Sequence, residues 1–398
     1  MTTLAQKWGI HPEHGWLHGA RPDEPVVRDQ DSGVWNVYGY REAVAVLGDP
    51  ATFSSRTAHL FAEDGGDVIA EGDLLQTDPP RHRQQRDLVR YAFTPRLLAG
   101  MEPRISELVD ELLGAIADPT GFDLVDAFCS PLPILVVGEM LGLPRADVPK
   151  LERWMREMAA SFGDLSPAAD QAEQERVFAA TAVLMEQVVE YLREHVRARA
   201  GAGGDGLLDR LVTAEIDGER LSEDYVVAFA KTMLAAGHTT TSMLIANTVL
   251  CLDADPGLDR RVRADRSLVP GLLEESMRFL SPIAATYRAT TRPTALGGQE
   301  LDAGSIVMVW LAAANRDPAQ FPDPDVFDPS RTPSSQIGYG HGIHFCIGAQ
   351  LARMEARIAL NALFDRFPGL RVADGAVPKV HPAFDTTGLA SLPVVAQV

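Results

Sequence analysis

Residues 340–348 read Gly-His-Gly-Ile-His-Phe-Cys-Ile-Gly, and they set one thiol, Cys346, among the glycines Gly340, Gly342 and Gly348. Residues 349–357 have a helical pattern, so Cys346 stands just ahead of a helix N-terminus. Unpaired N–H groups and the positive end of the dipole favour thiolate at such a place. A thiolate can act as a nucleophile or as a metal ligand. His341 and His344 beside it allow a zinc reading or a nucleophilic Cys/His pair. Structural zinc needs four ligands, and no second Cys/His pair follows.

Three further segments carry chemistry. Leu221 to Asp255 has Ser222 as N-cap, Glu223 and Asp224 in its first turn and Pro256 as its stop. It predicts one helix on the order of 50 Å long. Its centre holds Ala235, Ala236, Gly237, His238, Thr239, Thr240, Thr241 and Ser242, poor choices for a buried helix. That composition predicts an opened turn admitting a small molecule or water, or else hydroxyls bonded to preceding carbonyls. Glu275 and Arg278, in a short helix between Pro270 and Pro282, share a face at i,i+3 spacing. Arg81, His82, Arg83, Arg86, Arg90 and Arg96 crowd one segment of a chain whose net charge is −19, which suits an anion-binding or docking face. One arrangement uses all of these parts: a haem whose iron is held by the Cys346 thiolate. The Arg/His cluster meets its two propionates, and the 237–241 segment gives dioxygen a gap and protons a hydroxyl relay. The Cys-x-x-Cys-His signature of covalent haem attachment is absent.

The elements that must position these groups are mainly helices, with small sheets. Helical periodicity covers much of 82–115, 144–160, 170–199 and 221–254 of the 398 residues. Residues 34–38, 305–310 and 392–395 read as strands, the first as one arm of a hairpin. The Gly-rich stretch 200–206 is a loop and no linker divides the chain, so 1–398 is expected to form a single domain. The three cysteines make no disulfide framework. No apolar leader or membrane span is evident, so a soluble, cytoplasmic protein is expected. The acidic charge argues against nucleic acid as a partner.

Taken together, from Asp78-Pro79-Pro80-Arg81-His82 to the C-terminal strands, the sequence resembles a bacterial cytochrome P450. The resemblance implies the triangular-prism fold of that family, with haem b between the long distal helix and the cysteine-loop helix. It makes Cys346 the axial ligand, with Gly340, Phe345 and Gly348 in its loop. It assigns His82, Arg86, Arg288 and His344 to the propionates. Glu275, Arg278 and Arg331 become a network bracing the cysteine loop, and Asn315-Arg316-Asp317-Pro318 also fits. Ala236, Gly237, Thr239 and Thr240 fall in the oxygen-activating turn. Two positions depart from the pattern. Tyr339 replaces the usual phenylalanine, and Thr239 replaces the Asp or Glu of the acid–alcohol pair, while Thr240 keeps the alcohol. A threonine relays a proton but does not act as a carboxylic acid.

The implied activity is a monooxygenase that oxidises a hydrophobic small molecule of bacterial secondary metabolism with O2. Electrons would come from a ferredoxin and ferredoxin reductase, because the chain has neither a flavin-binding extension nor an iron–sulfur cysteine set. Arg353 and Arg357 are expected to extend the basic docking face. A monomer is expected. Threonine at 239 also fits oxidative coupling or cyclisation without oxygen insertion, and a non-catalytic haem ligand-binding protein is a third reading. The resemblance places the substrate pocket at the loop 54–75, at Ala235, Ile283, Ala284, Ala285 and Thr286, at Tyr287, and at the turn near Thr387 and Gly388.

Overall fold

The computed structural model describes residues 14–57, 73–163, 171–199, 204, 206–331, 335–381 and 383–397, with the side chains of 159–180 and of 397 left aside. Most of the loop 54–75 and of the Gly-rich stretch 200–206, and the N-terminal residues read as free of a leader, lie outside the described residues.

The helices are α1 (Tyr40–Gly48), α2 (Arg81–Arg90), α3 (Pro95–Gly114), α4 (Pro131–Leu141), α5 (Val148–Gly163) and α6 (Gln171–Arg199), followed by α7 (Leu207–Leu211), α8 (Glu223–Ala254), α9 (Pro256–Ala264), α10 (Val269–Phe279), α11 (Leu311–Ala314) and α12 (Ala349–Arg366). The expected helical stretch 82–115 is two helices. Tyr91–Phe93 tighten into a 3-10 turn, and Thr94 is extended ahead of Pro95, as a residue before proline prefers. The sequence pattern missed α4, which is apolar on every side and buried almost throughout, so it offers no amphipathic period.

The 32-residue α8 starts as the sequence predicts, with the Ser222 hydroxyl accepting from the Tyr225 N–H. It packs against α4, α6, α10 and α12, which makes it the axis of the helical body. Beside that body lies a sheet of β1 (Val26–Arg28), β2 (Trp35–Val37), β3 (Phe53–Ser54), β7 (Thr286–Thr290) and β10 (Ile306–Val309), in the order β1-β2-β10-β7-β3. The expected hairpin at 34–38 is the antiparallel β1–β2 pair, and β2 runs parallel to β10. The C-terminal strand β14 (Pro393–Gln397) pairs antiparallel with Gly369–Val372 and with Phe122–Asp123. Among the described residues no helix is long and apolar enough to cross a membrane.

Candidate functional site

Cys346 is held by its backbone. Its N–H donates to the Tyr339 carbonyl at 2.8 Å, and the Gly340 N–H donates to the Ile337 carbonyl at 2.8 Å. Gly340 and Gly342 adopt φ of +76° and +69°, a region that L side chains avoid. A Cβ on Gly342 would also fall on the Leu47 carbonyl at the end of α1. The loop can therefore turn this tightly only with glycine at that position.

The Cys346 thiol is exposed, yet protein crowds it closely. Burial pushes it above the ordinary thiol value, opposed by the Gly348 N–H, Arg86, Arg353 and the Ala349 N–H. This corrects the sequence expectation. The helix N-terminus does favour thiolate, but desolvation outweighs it.

Beside the thiol the structure gathers the predicted cationic residues. His82 and His344 pack with their rings tilted by 54°, 4.3 Å between centroids. Arg86 donates to the Phe345 carbonyl at 2.6 Å, and Arg288 on β7 donates to the Tyr287 carbonyl at 2.6 Å. Each arginine keeps further N–H groups in its fork. Burial draws His344 down to about 3, helped by Arg288, His82 and Arg86. It also draws Arg288 down to about 10, against the pull of Asp78. The His82 Nε2 is buried without a partner. Among the described residues two arginines and two imidazoles thus have Asp78 as their nearby acid, and the set fits a dianionic group such as a haem with its two propionates.

The sequence reasoning missed Ser55, 2.8 Å from the His344 Nε2, and Asp78's part in holding Ser55 through its N–H at 2.9 Å. Asp78 opens the quoted motif, but nothing local marks Ser55. His344 is thereby committed to Ser55, and among the described residues no three His, Cys, Asp or Glu side chains converge as a metal site.

The Glu275–Arg278 pair is not a surface contact. Both are buried, and Arg278 makes two bonds to Glu275, at 2.8 and 2.7 Å. Its other N–H groups reach the carbonyls of Asn315, Pro324 and Val326. Arg331 approaches Glu275 at 3.5 Å. Asn315 then passes the constraint on, because its Oδ1 accepts from the Ile337 N–H at 2.8 Å. Ile337 holds Gly340, and Tyr339 holds Cys346. The network therefore leads, bond by bond, to the cysteine loop.

On α8 the helix is unbroken through 235–242, so the opened turn is not found. The Thr240 hydroxyl donates to the Ala236 carbonyl at 2.6 Å, which is the alternative reading of that segment. Gly237 has a packing reason: a Cβ there would stand 2.7 Å from the Val137 Cγ2 on α4. Ala236 is exposed, and Thr239 and Thr240 are half-buried. α8 packs directly on α12, the helix that follows Cys346.

The pocket candidates divide. Ala235, Ile283 and Thr286 are half-buried. Ala284 and Ala285 are core, packed in a cluster with Trp16, Met308 and Trp310. Thr387 is buried, and its hydroxyl is spent on the Ser281 carbonyl. Gly388 is required because a Cβ would overlap Met243 of α8. The expected basic face also shrinks. Arg353 is bound by Glu274 and stacks 4.3 Å over the Tyr339 ring, while Arg357 is bound by Glu102. Arg83, Arg90 and Arg96 remain exposed.

A glycine-held thiol, a set of two arginines and two imidazoles suited to a dianion and a long hydroxyl-bearing helix that packs on the helix after the thiol define the haem-thiolate class of oxidoreductases. The cytochrome P450 family model matches residues 26–390. The cyclomarin C epoxidase CymV of Salinispora arenicola is 44% identical over 379 residues, 95% of this chain and 93% of the relative. The erythromycin C-12 hydroxylase of Saccharopolyspora erythraea is 36% identical over 100% of this chain and 98% of its own. The solved structure of HmtN, a post-tailoring hydroxylase involved in himastatin biosynthesis, is 51% identical with a TM-score of 0.89 and 100% coverage of both chains. The chain belongs to the cytochrome P450 family. It is an enzyme of the monooxygenase class and its cofactor is haem, bound in this family through a cysteine thiolate.

Proposed function

We propose that this protein oxidises an apolar natural product of macrolide or cyclic-peptide type, with Cys346 as the residue that would hold the haem iron and His82, Arg86, Arg288 and His344 as those that would hold the propionates. The observation that carries the site assignment is the convergence of those four side chains beside the cysteine loop, with Asp78 the acid among the described residues there. When bound, the haem supplies reductive activation of dioxygen, with the thiolate favouring O–O cleavage. The protein's own residues do the remaining work. Glu275, Arg278 and Asn315 hold the loop, Thr240 presents a hydroxyl, and Ala235, Ile283 and Thr286 offer a small, apolar wall with one polar group. The substrate class rests on the relatives, a cyclomarin C epoxidase, an erythromycin C-12 hydroxylase and a post-tailoring hydroxylase involved in himastatin biosynthesis. A ferredoxin and its reductase supply electrons at a face that includes Arg83, Arg90 and Arg96. Titrating the ferric protein with a panel of macrolactones and cyclic peptides should give a saturable displacement of the iron's water in the Soret region. No shift with any member of that panel, while small amines or steroids tested beside it do bind, would sink the substrate class.

Threonine at 239 favours a second reading, oxidative coupling or cyclisation without oxygen insertion. The variant Thr239→Glu separates the two. If oxygen insertion is the native chemistry and proton supply limits it, product formed per NADPH consumed should rise several-fold. An unchanged ratio with native haem spectra would favour coupling or a different proton route.

A further inference from the structure

In the turn that packs beside α8, one acid is left without a partner. The Thr386 N–H donates to the Ala383 carbonyl at 3.2 Å, which closes a turn around Phe384 and Asp385. The Phe384 ring packs on Trp310, 6.4 Å between centroids. The Asp385 carbonyl accepts from the N–H groups of Ala284 and Ala285 at 2.7 and 3.3 Å, and Thr386 bridges to Ile283. The Thr386 hydroxyl donates to the Ala383 carbonyl, and the Thr387 hydroxyl is spent on Ser281. Among the described residues, the Asp385 carboxylate meets only its own N–H.

The turn borders the candidate site. Gly388 lies against Met243, which follows Thr239 by four residues and Thr240 by three and so shares their face of α8. Asp385 is partly open to space yet crowded by protein. Burial raises its carboxyl above the ordinary value, and only its own N–H opposes that. A carboxylate in bulk water is not raised in this way, so the space in front of it is walled. The stretches around this wall, 235–245, 281–287 and 383–391, contain no Lys or Arg, and Asp385 is their only acid. His381, nearby in the chain, is drawn down to about 4 by burial and by the Arg156 charge, so it is neutral near pH 7. Arg288, further along β7, has Asp78 as its acid. An unpaired carboxylate in an uncharged wall costs desolvation energy that no contact within the protein returns, and a cation on a ligand would return it. The net charge of −19 adds a long-range pull on cations.

We propose that Asp385 is a specificity-determining residue that receives an ammonium group of the substrate, so that the ligand is an otherwise apolar natural product carrying one basic nitrogen. The proposal rests on the substrate oxidation proposed above and narrows its class. A protonated tertiary amine has one N–H to give, and a carboxylate oxygen accepts it as a charge-assisted hydrogen bond. The apolar body of the ligand then lies along Ala235, Ile283 and Thr286. With its nitrogen held at the turn, the ligand presents a different part of itself for oxidation.

The test uses ferric, haem-loaded protein and matched ligand pairs: a macrolactone and a cyclic peptide, each bearing a dimethylamino group or, in its place, an isopropyl group of the same shape. Displacement of the iron's water moves the Soret band to the blue, a nitrogen on the iron moves it to the red, and calorimetry gives Kd independently of the spectrum. For a scaffold that binds, the amine member should hold to the wild type on the order of tenfold more tightly than its isopropyl twin, with a blue shift. Asp385→Asn should bring the twins within about twofold, with the isopropyl Kd unchanged or lower. Asp385→Ser should do the same. Equal Kd values in the wild type, or a red shift with every amine member, overturn the anchor and leave the oxidation of uncharged products standing. A preference that survives in Asp385→Asn, or loss of both twins there with the haem spectrum intact, overturns the role of Asp385. Absence of a saturable shift with either twin of either scaffold overturns the substrate class, and the anchor with it.

Discussion

Replacing Cys346 by serine is expected to abolish the thiolate-type Soret band of the reduced carbon monoxide complex and to reduce substrate oxidation to background. A serine hydroxyl does not ionise near neutral pH, so the electron donation that favours O–O cleavage disappears. The loss should not come from unfolding. The side chain is exposed, and the loop is held by the Cys346 N–H on the Tyr339 carbonyl and by Gly340, none of which the substitution touches. Denaturant melts of the haem-free protein should therefore agree within about 0.5 kcal/mol. A Cys346→Ser protein that keeps the thiolate-type band would reject Cys346 as the ligand.

The second large effect is on stability. Arg278→Leu should cost about 3–5 kcal/mol, because it leaves the Glu275 carboxylate buried without its cation. It also takes the donor away from the carbonyls of Asn315, Pro324 and Val326. Arg331, at 3.5 Å, stays too loosely placed to replace it. Haem retention should fall with stability, since Asn315 and Ile337 transmit the constraint to the cysteine loop. Arg278→Lys should fall between, keeping the charge but not the fork that serves two carboxylate oxygens and three carbonyls. The double variant Glu275→Leu with Arg278→Leu should be less damaging than the sum of the single changes, because no buried charge is left alone. Urea melts that show Arg278→Leu as stable as the wild type would refute this account.

Several parts of the molecule were legible locally. Ser222 capped the long helix as its side chain and the following acids predicted, because a cap is a contact across three residues. The strands at 34–38, 305–310 and 392–395 followed from short apolar runs beside turn residues. The glycines around Cys346 marked a backbone that only glycine can follow. α4 stayed hidden because a fully buried helix has no polar face to set a period. In the sequence Gly237 marks a weak point for a ligand, whereas in the fold it lets α4 approach. In the sequence Arg353 and Arg357 suit a docking face, yet Glu274 and Glu102, far away in sequence, neutralise them.

By itself, then, the sequence determined the family, the thiol, the long hydroxyl-bearing helix and the cationic set, because each depends on residue type and short spacing. Only the tertiary structure decided that burial lifts the thiol, that Ala284 and Ala285 are core, and that Ser130, 108 residues before His238, meets its imidazole. Those outcomes depend on desolvation and on which distant side chains the fold brings within about 3 Å. No local pattern encodes either.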